Sequence, residues 1–549
     1  MFDAETLTAI ARARAEYEAK VAELLGDAAS APLATQSGLP LKPLYTPLDV
    51  PTHDYAREIG FPGTSPFTRG VHPTGYLTKE WTRRQVVGLG TAEETNARLR
   101  YLFAQGQTGL SVCGMGYQSY DSDDERTVGH LGRGGVWIDT LADMETLLDG
   151  IDMERITLNQ IGSSLPVFAM ILSVAAQRGI PFRNLRGTIQ NWVIPGGEGP
   201  ERRGNGSIDI VEFCSREMPL WNHTSISVRN IRDQGCTAPQ EIAFGLYQGA
   251  YVIRSLQARG LGPDAVAPRI SFFLSAESDF LEEVAKFRAM RRMWAQLTRR
   301  RGATDPQSGR LRFHVQTSAL ALTAQQPLVN LVRSTVHALA AALGGAQSMS
   351  VNSFDEALAI PTELSATLSL RTQQVIAYES GVSKVLDPLG GSYCVEALTA
   401  ELERAAWPIV EELEGLEDWE AFQKIEQWAD DEGYRRQQAI DRGERIVVGV
   451  NAFQEGSDDL PPDALPLFEY DPAWRDKQIQ RLSRVRARRD ARKAEEATRR
   501  LADDYREKGN LVPPMMAGVQ AYLSIGEIAR VRQEALGEPA FAGPLYFGR

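Results

Sequence analysis

The chain has 549 residues and a formal net charge of −12 at pH 7, which argues against the basic face that nucleic-acid-binding proteins use. Its 43% hydrophobic and 24% charged content is typical of globular proteins, and no leader or apolar stretch predicts export or a membrane span. We therefore expect a cytoplasmic protein that binds neither nucleic acid nor membrane. The cysteines have no CxxC spacing, so neither a zinc site nor a disulfide framework is predicted: Cys113, Cys214, Cys236 and Cys394.

The chain divides into three regions by composition. Residues 1–80 begin with an amphipathic helical pattern over 1–25 and continue as a segment rich in Pro, Gly and Thr, which predicts an arm that wraps a surface. Residues 81–400 alternate strand and helix patterns. Residues 401–549 are predicted to be helical, with a charged run over 475–510 that is typical of a solvated face. The final stretch regains an apolar stripe and is expected to dock on the barrel or on a partner.

Seven short segments alternate polar and apolar residues, which is the pattern of a strand. They are LSVCG from Leu110, ITLNQIG from Ile156, GTIQNWV from Gly187, TSISVRN from Thr224, RISFFLS from Arg269, LRFHVQTS from Leu311 and QSMSVNSF from Gln347. Helical patterns lie between them, so the fold class predicted is α/β, a (β/α)8 TIM barrel with an N-terminal extended arm and a C-terminal helical extension. The eighth strand is placed near Lys384–Leu386.

The alternate positions of these strands carry small polar residues, although barrels of this type usually fill their interior with Val, Ile and Leu. If these residues face inward, a long hydrogen-bonding ligand can thread the barrel axis. The pattern therefore indicates a function rather than packing. The residues are Thr157, Asn159, Thr188, Gln190, Ser225, Ser227, Ser271, His314, Gln316, Ser348, Ser350 and Asn352.

Segments along nearly the whole chain carry a family resemblance. They include KPLYTPLDV (42–50), GTAEETNARLRYLFAQGQTGLSV (90–112), EMPLWN (217–222), LTAQQP (322–327) and NSFDEALAIPTE (352–363). In these segments the chain resembles the large, substrate-binding part of the adenosylcobalamin-dependent methylmalonyl-CoA mutase family. The resemblance implies an isomerase that rearranges the carbon skeleton of an acyl-CoA by radical chemistry, with coenzyme A threading the barrel.

The resemblance also implies a coenzyme A pocket. Lys and Arg would neutralise its phosphates, and Ser, Asn and Gln would satisfy its pantetheine amides. Arg84 could instead form a surface ion pair, and His314 could be a satisfied core histidine. The matching residues are His72, Thr74, Lys79, Thr82, Arg84, Ser111, Asn222, Arg269, Ser271, Arg312, His314 and Gln316; Gln190 matches the same pocket and is assigned to the catalytic group.

Three residues resemble the family's contacts to the adenosyl group of the cofactor: Gln347, Asn352 and Glu356. Glu356 could alternatively cap a helix that begins at Phe354–Asp355. The chain contains no DxHxxG segment, which is the family's cobalt-ligating motif, so it offers no metal ligand and no cobalamin-binding domain is predicted. The resemblance then implies a separate small cobalamin-binding subunit and a hetero-oligomer, with residues after Glu538 as a candidate docking element.

Four departures from the family pattern fall in the substrate pocket. Val86 stands where the family has a larger residue that helps to set substrate choice, and Cys113 stands where one branch has an Asp that binds a substrate hydroxyl. The position of a carboxylate-binding Arg falls near Pro200, and Arg202 or Arg203 could take over that role. Arg229 and Asn230 replace a Tyr–His pair that flanks the substrate, and with Gln190 they form the predicted catalytic group.

Three functions remain open on these residues. The first is a mutase that acts on a non-standard acyl-CoA, because the pocket of methylmalonyl-CoA is not retained. The second is a non-catalytic acyl-CoA-binding or assembly subunit, which the loss of the Tyr–His pair suggests. The third is a mutase-like enzyme acting on another thioester or on an acyl group bound to a carrier protein, with Arg202 and Arg203 facing that partner.

Overall fold

The computed structural model describes residues 3–25, 33–50, 54–114, 120–162, 164–191, 193, 206–454, 465–507 and 509–537. The described strands are short and all pair in parallel. They are β1 (Thr82–Arg84), β2 (Gly109–Val112), β3 (Thr157–Gln160), β4 (Gly187–Ile189), β5 (Trp221–Asn222 and Thr224–Ser227, interrupted at His223), β6 (Ile270–Ala276), β7 (Arg312–Thr317) and β8 (Ser348–Ser350).

Helices account for most of the remaining described chain. Those of the first half are α1 (Ala4–Leu25), α2 (Ala92–Ala104), α3 (Leu141–Leu147), α4 (Leu165–Gln177), α5 (Ser207–Glu217), α6 (Arg229–Gln234), α7 (Ala238–Gln257) and α8 (Pro263–Val266). Those of the second half are α9 (Phe280–Arg300), α10 (Val329–Leu343), α11 (Glu363–Tyr378), α12 (Tyr393–Glu414), α13 (Asp418–Asp441), α14 (Ala473–Arg488), α15 (Ala491–Arg506), α16 (Val512–Gln520) and α17 (Ile525–Leu536).

The eight strands close into a ring. One run of hydrogen-bonded strands joins β1, β8, β7, β6 and the second half of β5, and another joins β2, β3, β4 and the first half of β5. The two runs meet within β5, and again where Val87, just beyond β1, forms a parallel bridge with Val112 of β2. The predicted (β/α)8 barrel is therefore confirmed, and its strands all point the same way, so each end of the barrel gathers one kind of strand terminus.

The eighth strand was predicted in the wrong place. The barrel is completed by β1 near the start of the chain, whereas Val382–Lys384 forms a 3₁₀ turn. β1 escapes detection because it has three residues and two of them are arginines. Both arginines are nevertheless buried, because Arg83 forms an ion pair with Glu80 and Arg84 points into the barrel.

The apolar core lies outside the strands rather than along the axis. On one side of the barrel, Phe272 and Leu274 of β6 pack with Trp294 of α9 and with helices α7 and α12. On the other side, Leu110 and Leu158 pack with α4 and with the C-terminal helices α16 and α17. Since alternate residues of a strand point to opposite faces, this arrangement turns the small polar residues inward.

Candidate functional site

An axial cavity of about 200 Å³ opens at the amino-terminal end of the strands. Most of its walls are polar side chains from consecutive strands of the ring, which is the inward face predicted from the alternation. From the predicted set the lining includes Thr82, Arg84, Gln190, Asn222, Arg269, Ser271, Arg312, His314 and Gln347, together with Thr157, Asn159, Thr188, Ser225 and Ser348.

The polar interior is only partly satisfied by its own hydrogen bonds. Asn159 donates to the Ser111 hydroxyl at 2.8 Å, and Asn222 donates to Thr188 at 3.1 Å. The Oδ1 atoms of both asparagines, Nε of Arg84 and Oγ of Ser227 are buried and have no hydrogen-bond partner among the described residues. Buried polar groups in folded proteins are normally paired, so these open positions indicate that a ligand with amide or hydroxyl groups completes the channel.

Arg84 is not part of a surface ion pair. Its guanidinium donates to the Leu110 carbonyl at 2.6 Å and to the Thr157 hydroxyl at 3.0 Å. Burial lowers the pKa of Arg84 to about 10, because the charged form has left water without gaining a carboxylate. The barrel axis therefore holds a fixed positive charge.

His314 is a neutral polar residue of the channel wall. Its Nδ1 lies 2.7 Å from the Ser348 hydroxyl, and its ring packs against Phe273 with centroids 5.0 Å apart. Burial, reinforced by the charges of Arg84 and Arg229, lowers its pKa well below the usual value. A neutral imidazole both accepts and donates, so His314 suits an amide ligand better than a phosphate.

A second cavity of about 450 Å³ lies beside the amino-terminal mouth, under the arm that precedes β1. His72, Thr74 and Lys79 of the predicted coenzyme A pocket line it. It shares Thr82 and Gln347 with the axial cavity. The two cavities therefore adjoin, and a long ligand has a route from the arm into the barrel.

The amino-terminal mouth is cationic. Burial and the charge of Arg186 lower the pKa of Arg269, while burial and the charges of Arg269 and Arg310 lower that of Arg312 to about 10. Within the described part of the chain, the charges that act on Arg269 and Arg312 are those of other arginines, and no carboxylate offsets them. Clustered, unneutralised guanidinium groups favour an anion such as a phosphate.

Two members of this cluster, Arg186 and Arg310, were not predicted from the sequence. Arg186 directly precedes β4, and Arg310 lies two residues before β7. The available signal was their position: in a parallel barrel, residues that precede successive strands gather at one mouth. Partial burial and the charges of Arg312 and Arg310 also lower the pKa of His72, which ties the arm to this mouth.

The opposite, carboxyl-terminal mouth brings together the predicted acyl-pocket residues. Val86 is half-buried and, two residues beyond Arg84, continues the inward face of β1. Cys113 follows β2, and Arg229 begins α6 two residues after the end of β5. Burial raises the pKa of Cys113 to about 11, with the charge of Arg229 lowering it and that of Glu356 raising it. The charges of Arg229 and Glu356 therefore both act on Cys113, as expected for residues at one mouth of the barrel. Asn230, beside Arg229, is exposed.

Glu356 does not cap a helix at Phe354–Asp355, because the next helix, α11, begins at Glu363. Among the described residues its carboxylate has no hydrogen bond and no ion pair. Burial raises its pKa to about 7; the charge of Arg229 acts to lower this pKa, and the charges of Asp355 and Asp233 act to raise it. The Glu356 carboxylate is therefore available at the carboxyl-terminal mouth to accept hydrogen bonds from a ligand.

Asn352 is engaged within the protein. Its side-chain amide donates to the Thr317 carbonyl at 2.7 Å and accepts from Gln316 at 2.5 Å. Gln347 is not brought together with Asn352 and Glu356, because it lies at the amino-terminal end of β8 and lines the other mouth. The three residues assigned to one cofactor contact are therefore divided between the two ends of the barrel.

Part of the predicted site lies outside the described residues: Pro200, Arg202, Arg203 and the segment after Glu538. In the described chain no helix is long and apolar enough to cross a bilayer. The same residues contain no group of three or more His, Cys, Asp or Glu side chains that could hold a metal ion.

These features define a (β/α)8 barrel protein with a polar axis, a cationic mouth at one end and a carboxylate at the other, an arrangement suited to a long, anionic, amide-containing ligand. The comparisons identify its family. The family model described as methylmalonyl-CoA mutase matches residues 34–538. A methylmalonyl-CoA mutase of Cereibacter sphaeroides is 39% identical over 521 residues, covering 92% of this chain and 72% of the relative.

Two further relatives carry names that specify a subunit. The 2-hydroxyisobutanoyl-CoA mutase large subunit of Aquincola tertiaricarbonis is 41% identical over 525 residues, 90% of this chain and 90% of the relative. The methylmalonyl-CoA mutase large subunit of Streptomyces virginiae is 36% identical over 553 residues, 96% of this chain and 74% of the relative. The chain belongs to the methylmalonyl-CoA mutase family, whose members are isomerases of the intramolecular transferase type.

Proposed function

We propose that the chain is the large, acyl-CoA-binding subunit of an adenosylcobalamin-dependent acyl-CoA mutase whose substrate is not methylmalonyl-CoA. The observation that carries the proposal is the polar axial cavity, which adjoins a cationic mouth and whose lining residues carry buried amide and guanidinium atoms that are unpaired among the described residues. A carbonyl-CoA group that migrates between neighbouring carbons needs the coenzyme held still while the acyl end reacts, and a ligand threaded along a barrel axis is held in that way.

Each end of the barrel would hold one part of the substrate. The phosphates of coenzyme A would bind Arg269, Arg312 and Lys79, and the pantetheine amides would pair with the open positions of Asn159 and Asn222. The thioester would then emerge at the carboxyl-terminal mouth, where (β/α)8 enzymes carry their active sites. Asn230 would donate a hydrogen bond to the thioester carbonyl, although an amide cannot act as an acid.

The carboxyl-terminal mouth also suits the adenosyl part of the cofactor. Glu356 offers a carboxylate without a partner in the described residues, which would accept hydrogen bonds from ribose hydroxyls, and Asn352 would keep that wall in position. Adenosylcobalamin, when bound, supplies the homolytic radical chemistry, and the protein positions and shields the reactants. No DxHxxG motif is present, so we propose that a small subunit supplies the cobalt-ligating histidine, consistent with the relatives named as large subunits.

The substrate is proposed to be non-standard because the acyl pocket differs in several side chains at once. Val86 is small, Cys113 carries no charge under neutral conditions because its pKa is raised, and Arg229 replaces an aromatic residue of the family pattern. The regions 1–80, 81–400 and 401–549 are proposed to act as arm, acyl-CoA-binding barrel and C-terminal helical region, the last one serving the small subunit.

Isothermal titration calorimetry of the purified chain with coenzyme A thioesters tests the proposal. The panel contains free coenzyme A, methylmalonyl-, succinyl-, isobutyryl-, 2-hydroxyisobutyryl- and benzoyl-CoA. We expect free coenzyme A to bind and the thioesters to differ in affinity by 10-fold or more, with methylmalonyl-CoA not the tightest. Failure of free coenzyme A to bind would refute the channel assignment, and equal affinity for every thioester would favour a non-catalytic acyl-CoA-binding subunit.

A further inference from the structure

Arg229 lies at the carboxyl-terminal mouth of the barrel, at the start of α6. It follows β5, which lies opposite β1 in the ring of eight strands, yet its charge acts on Cys113 and Glu356, which follow the two neighbours of β1. Its guanidinium carbon lies 5.8 Å from the ring centroid of Phe273, a residue that lines the axial cavity. A thioester that rises along the axis therefore meets this guanidinium at its acyl end.

The guanidinium keeps donors free for a ligand. Its Nη2 forms an ion pair with Asp233, one helical turn later, at 2.9 Å. Its Nε is buried and has no hydrogen-bond partner, and Asp233 is the one carboxylate that forms an ion pair with it in the described chain. A guanidinium has five N–H donors, so an oxygen acceptor of the substrate would pair a group that is otherwise left unsatisfied.

The carboxylate of Asp233 is itself positioned by hydrogen bonds from two serine hydroxyls. The Ser275 hydroxyl donates to its Oδ1 at 3.0 Å, and the Ser318 hydroxyl lies 3.3 Å from the same atom and 3.4 Å from Glu277. Glu277 in turn pairs with Arg436 of α13 at 3.2 Å and with Arg445 at 3.4 Å. Asp233 is therefore a positioning residue. The C-terminal region supports its position, because Arg436 and Arg445 pair with the buried Glu277.

The charge of this site decides what kind of oxygen it accepts. Asp233 already neutralises Arg229, and Glu356 lies nearby with a further carboxyl group. An acyl carboxylate would be a second anion on one guanidinium, with Glu356 adding repulsion whenever it is ionised. A purely aliphatic acyl group would leave the buried Nε unpaired, and sites built to bond a substrate oxygen discriminate strongly against analogues that lack it.

We propose that Arg229, held by Asp233, selects acyl-CoA thioesters whose acyl group carries a neutral oxygen acceptor, such as a hydroxyl, keto or ether oxygen. This inference rests on the proposed function, because it requires that the barrel binds acyl-CoA. Arg229 would determine the specificity for the acyl group. The amino-terminal mouth would bind the coenzyme A part equally well for every acyl group.

Calorimetric titration of the wild-type chain and its variants tests the inference with free CoA, butyryl-CoA, 3-hydroxybutyryl-CoA, 3-oxobutyryl-CoA and succinyl-CoA. The wild-type chain is expected to bind at least one of the two oxygenated thioesters 10-fold or more tighter than both butyryl-CoA and succinyl-CoA. Arg229→Gln should reduce that preference at least 5-fold without changing the Kd of free CoA, and Arg229→Lys should reduce it too because the fork of donors is lost.

Asp233→Asn gives a readout that a purely structural role would not move. Removing this carboxylate leaves Arg229 with a net charge, so the affinity for succinyl-CoA should rise relative to that for the oxygenated thioesters. The matched controls are Arg12→Gln and Glu16→Gln, which alter an exposed ion pair of the same spacing on α1 and should change nothing.

The outcomes distinguish failure of this inference from failure of the proposed function. If free CoA binds but the wild-type chain shows no preference, or if Arg229→Gln keeps the preference, the inference is overturned while the proposed function stands. The same holds if Arg229→Gln weakens all thioesters equally, because the arginine would then contact the thioester carbonyl. If free CoA does not bind the wild-type chain, both fail.

Discussion

The side-chain amide of Asn159 donates to the hydroxyl of Ser111 at 2.8 Å, between β3 and β2 and inside the barrel. Both residues are buried, yet Oδ1 of Asn159 has no hydrogen-bond partner in the part of the chain that the structure describes. A half-satisfied polar network costs stability relative to an apolar core, and the protein carries that cost along its whole axis. The apolar layers outside the strands stabilise the fold, so the interior does not have to be apolar and can bind a ligand.

Blocking the axis should abolish coenzyme binding without unfolding the protein. Ser225 is buried and lines the axial cavity, so a leucine there would occupy the space that the proposed pantetheine arm needs. Ser225→Leu should raise the Kd of free CoA at least 10-fold. It should cost about 1 kcal/mol of unfolding free energy, at the low end for overpacking, because the cavity accepts the added atoms. Ser225→Ala is the control and should bind normally; unchanged binding by the leucine variant would contradict an axial route.

The arginines of the amino-terminal mouth should set the affinity for phosphate. Loss of a charge-assisted hydrogen bond costs about 1.5–3 kcal/mol, so Arg312→Gln or Arg269→Gln should weaken free CoA binding roughly 10–100-fold. The salt dependence of Kd should become shallower in both variants. Pantetheine, which lacks phosphates, should bind them as it binds the wild-type chain. Arg155→Gln, at an exposed ion pair with Asp152, should have no effect, and equal losses for pantetheine and coenzyme A would refute the assignment.

The stability of the protein should depend on the ionisation of Glu356. Its pKa is raised to about 7, so the folded state binds its proton more tightly than the unfolded state does. A raised pKa contributes stability that is fully present below the unfolded value and is lost as pH rises through the folded value. Between pH 5 and pH 8 the wild-type chain should therefore lose about 1–3 kcal/mol relative to Glu356→Gln.

Urea unfolding of the two proteins at several pH values measures this difference. Glu356→Asp is the companion variant, because it keeps the ionisable group while shortening its reach. If the unfolding free energies of wild type and Glu356→Gln changed with pH in the same way, the prediction would be wrong. The carboxylate would then be as well solvated in the folded state as in the unfolded state.

Much of the barrel could be predicted because alternation reports which face a residue occupies. Segments such as TSISVRN and LRFHVQTS have the period of a strand, and Ser225, Arg312 and His314 from these segments line the cavity as expected. β1 was missed since a strand of three residues has almost no period, and its Arg84 resembles a surface residue until the ring closes around it.

Other features depend on the direction in which each strand runs and on contacts between residues far apart in the sequence. Local sequence patterns contain neither. Gln347 and Asn352 are five residues apart, but a strand separates them by about 17 Å, so they belong to opposite mouths. Arg186 and Arg310 belong to the same mouth because β4 and β7 start at the same end of the barrel. Asp233 was not predicted from the sequence, and its i, i+4 spacing from Arg229 was the available signal.

The arm under which the second cavity lies should depend on Asp387. This carboxylate, almost fully buried, lies 2.6 and 2.7 Å from the guanidinium of Arg288 and 2.9 Å from that of Arg69, which belongs to the arm. Asp387 has a positive φ of 45°, a conformation that Asn also tolerates, so Asp387→Asn removes the charge with little backbone strain. Removing one partner of a buried ion pair costs about 3–5 kcal/mol.

Because Glu396 still neutralises Arg288, we expect the loss in Asp387→Asn to be near 3 kcal/mol. The affinity for free CoA should fall in parallel, since His72 and Lys79 lie on the same arm as Arg69. Chemical denaturation and calorimetry on one preparation measure both effects. Asp149→Asn, at an exposed ion pair with Arg100, should change stability by less than about 0.5 kcal/mol. If Asp387→Asn lost stability but bound coenzyme A normally, the arm would be a structural strap and not a wall of the coenzyme site.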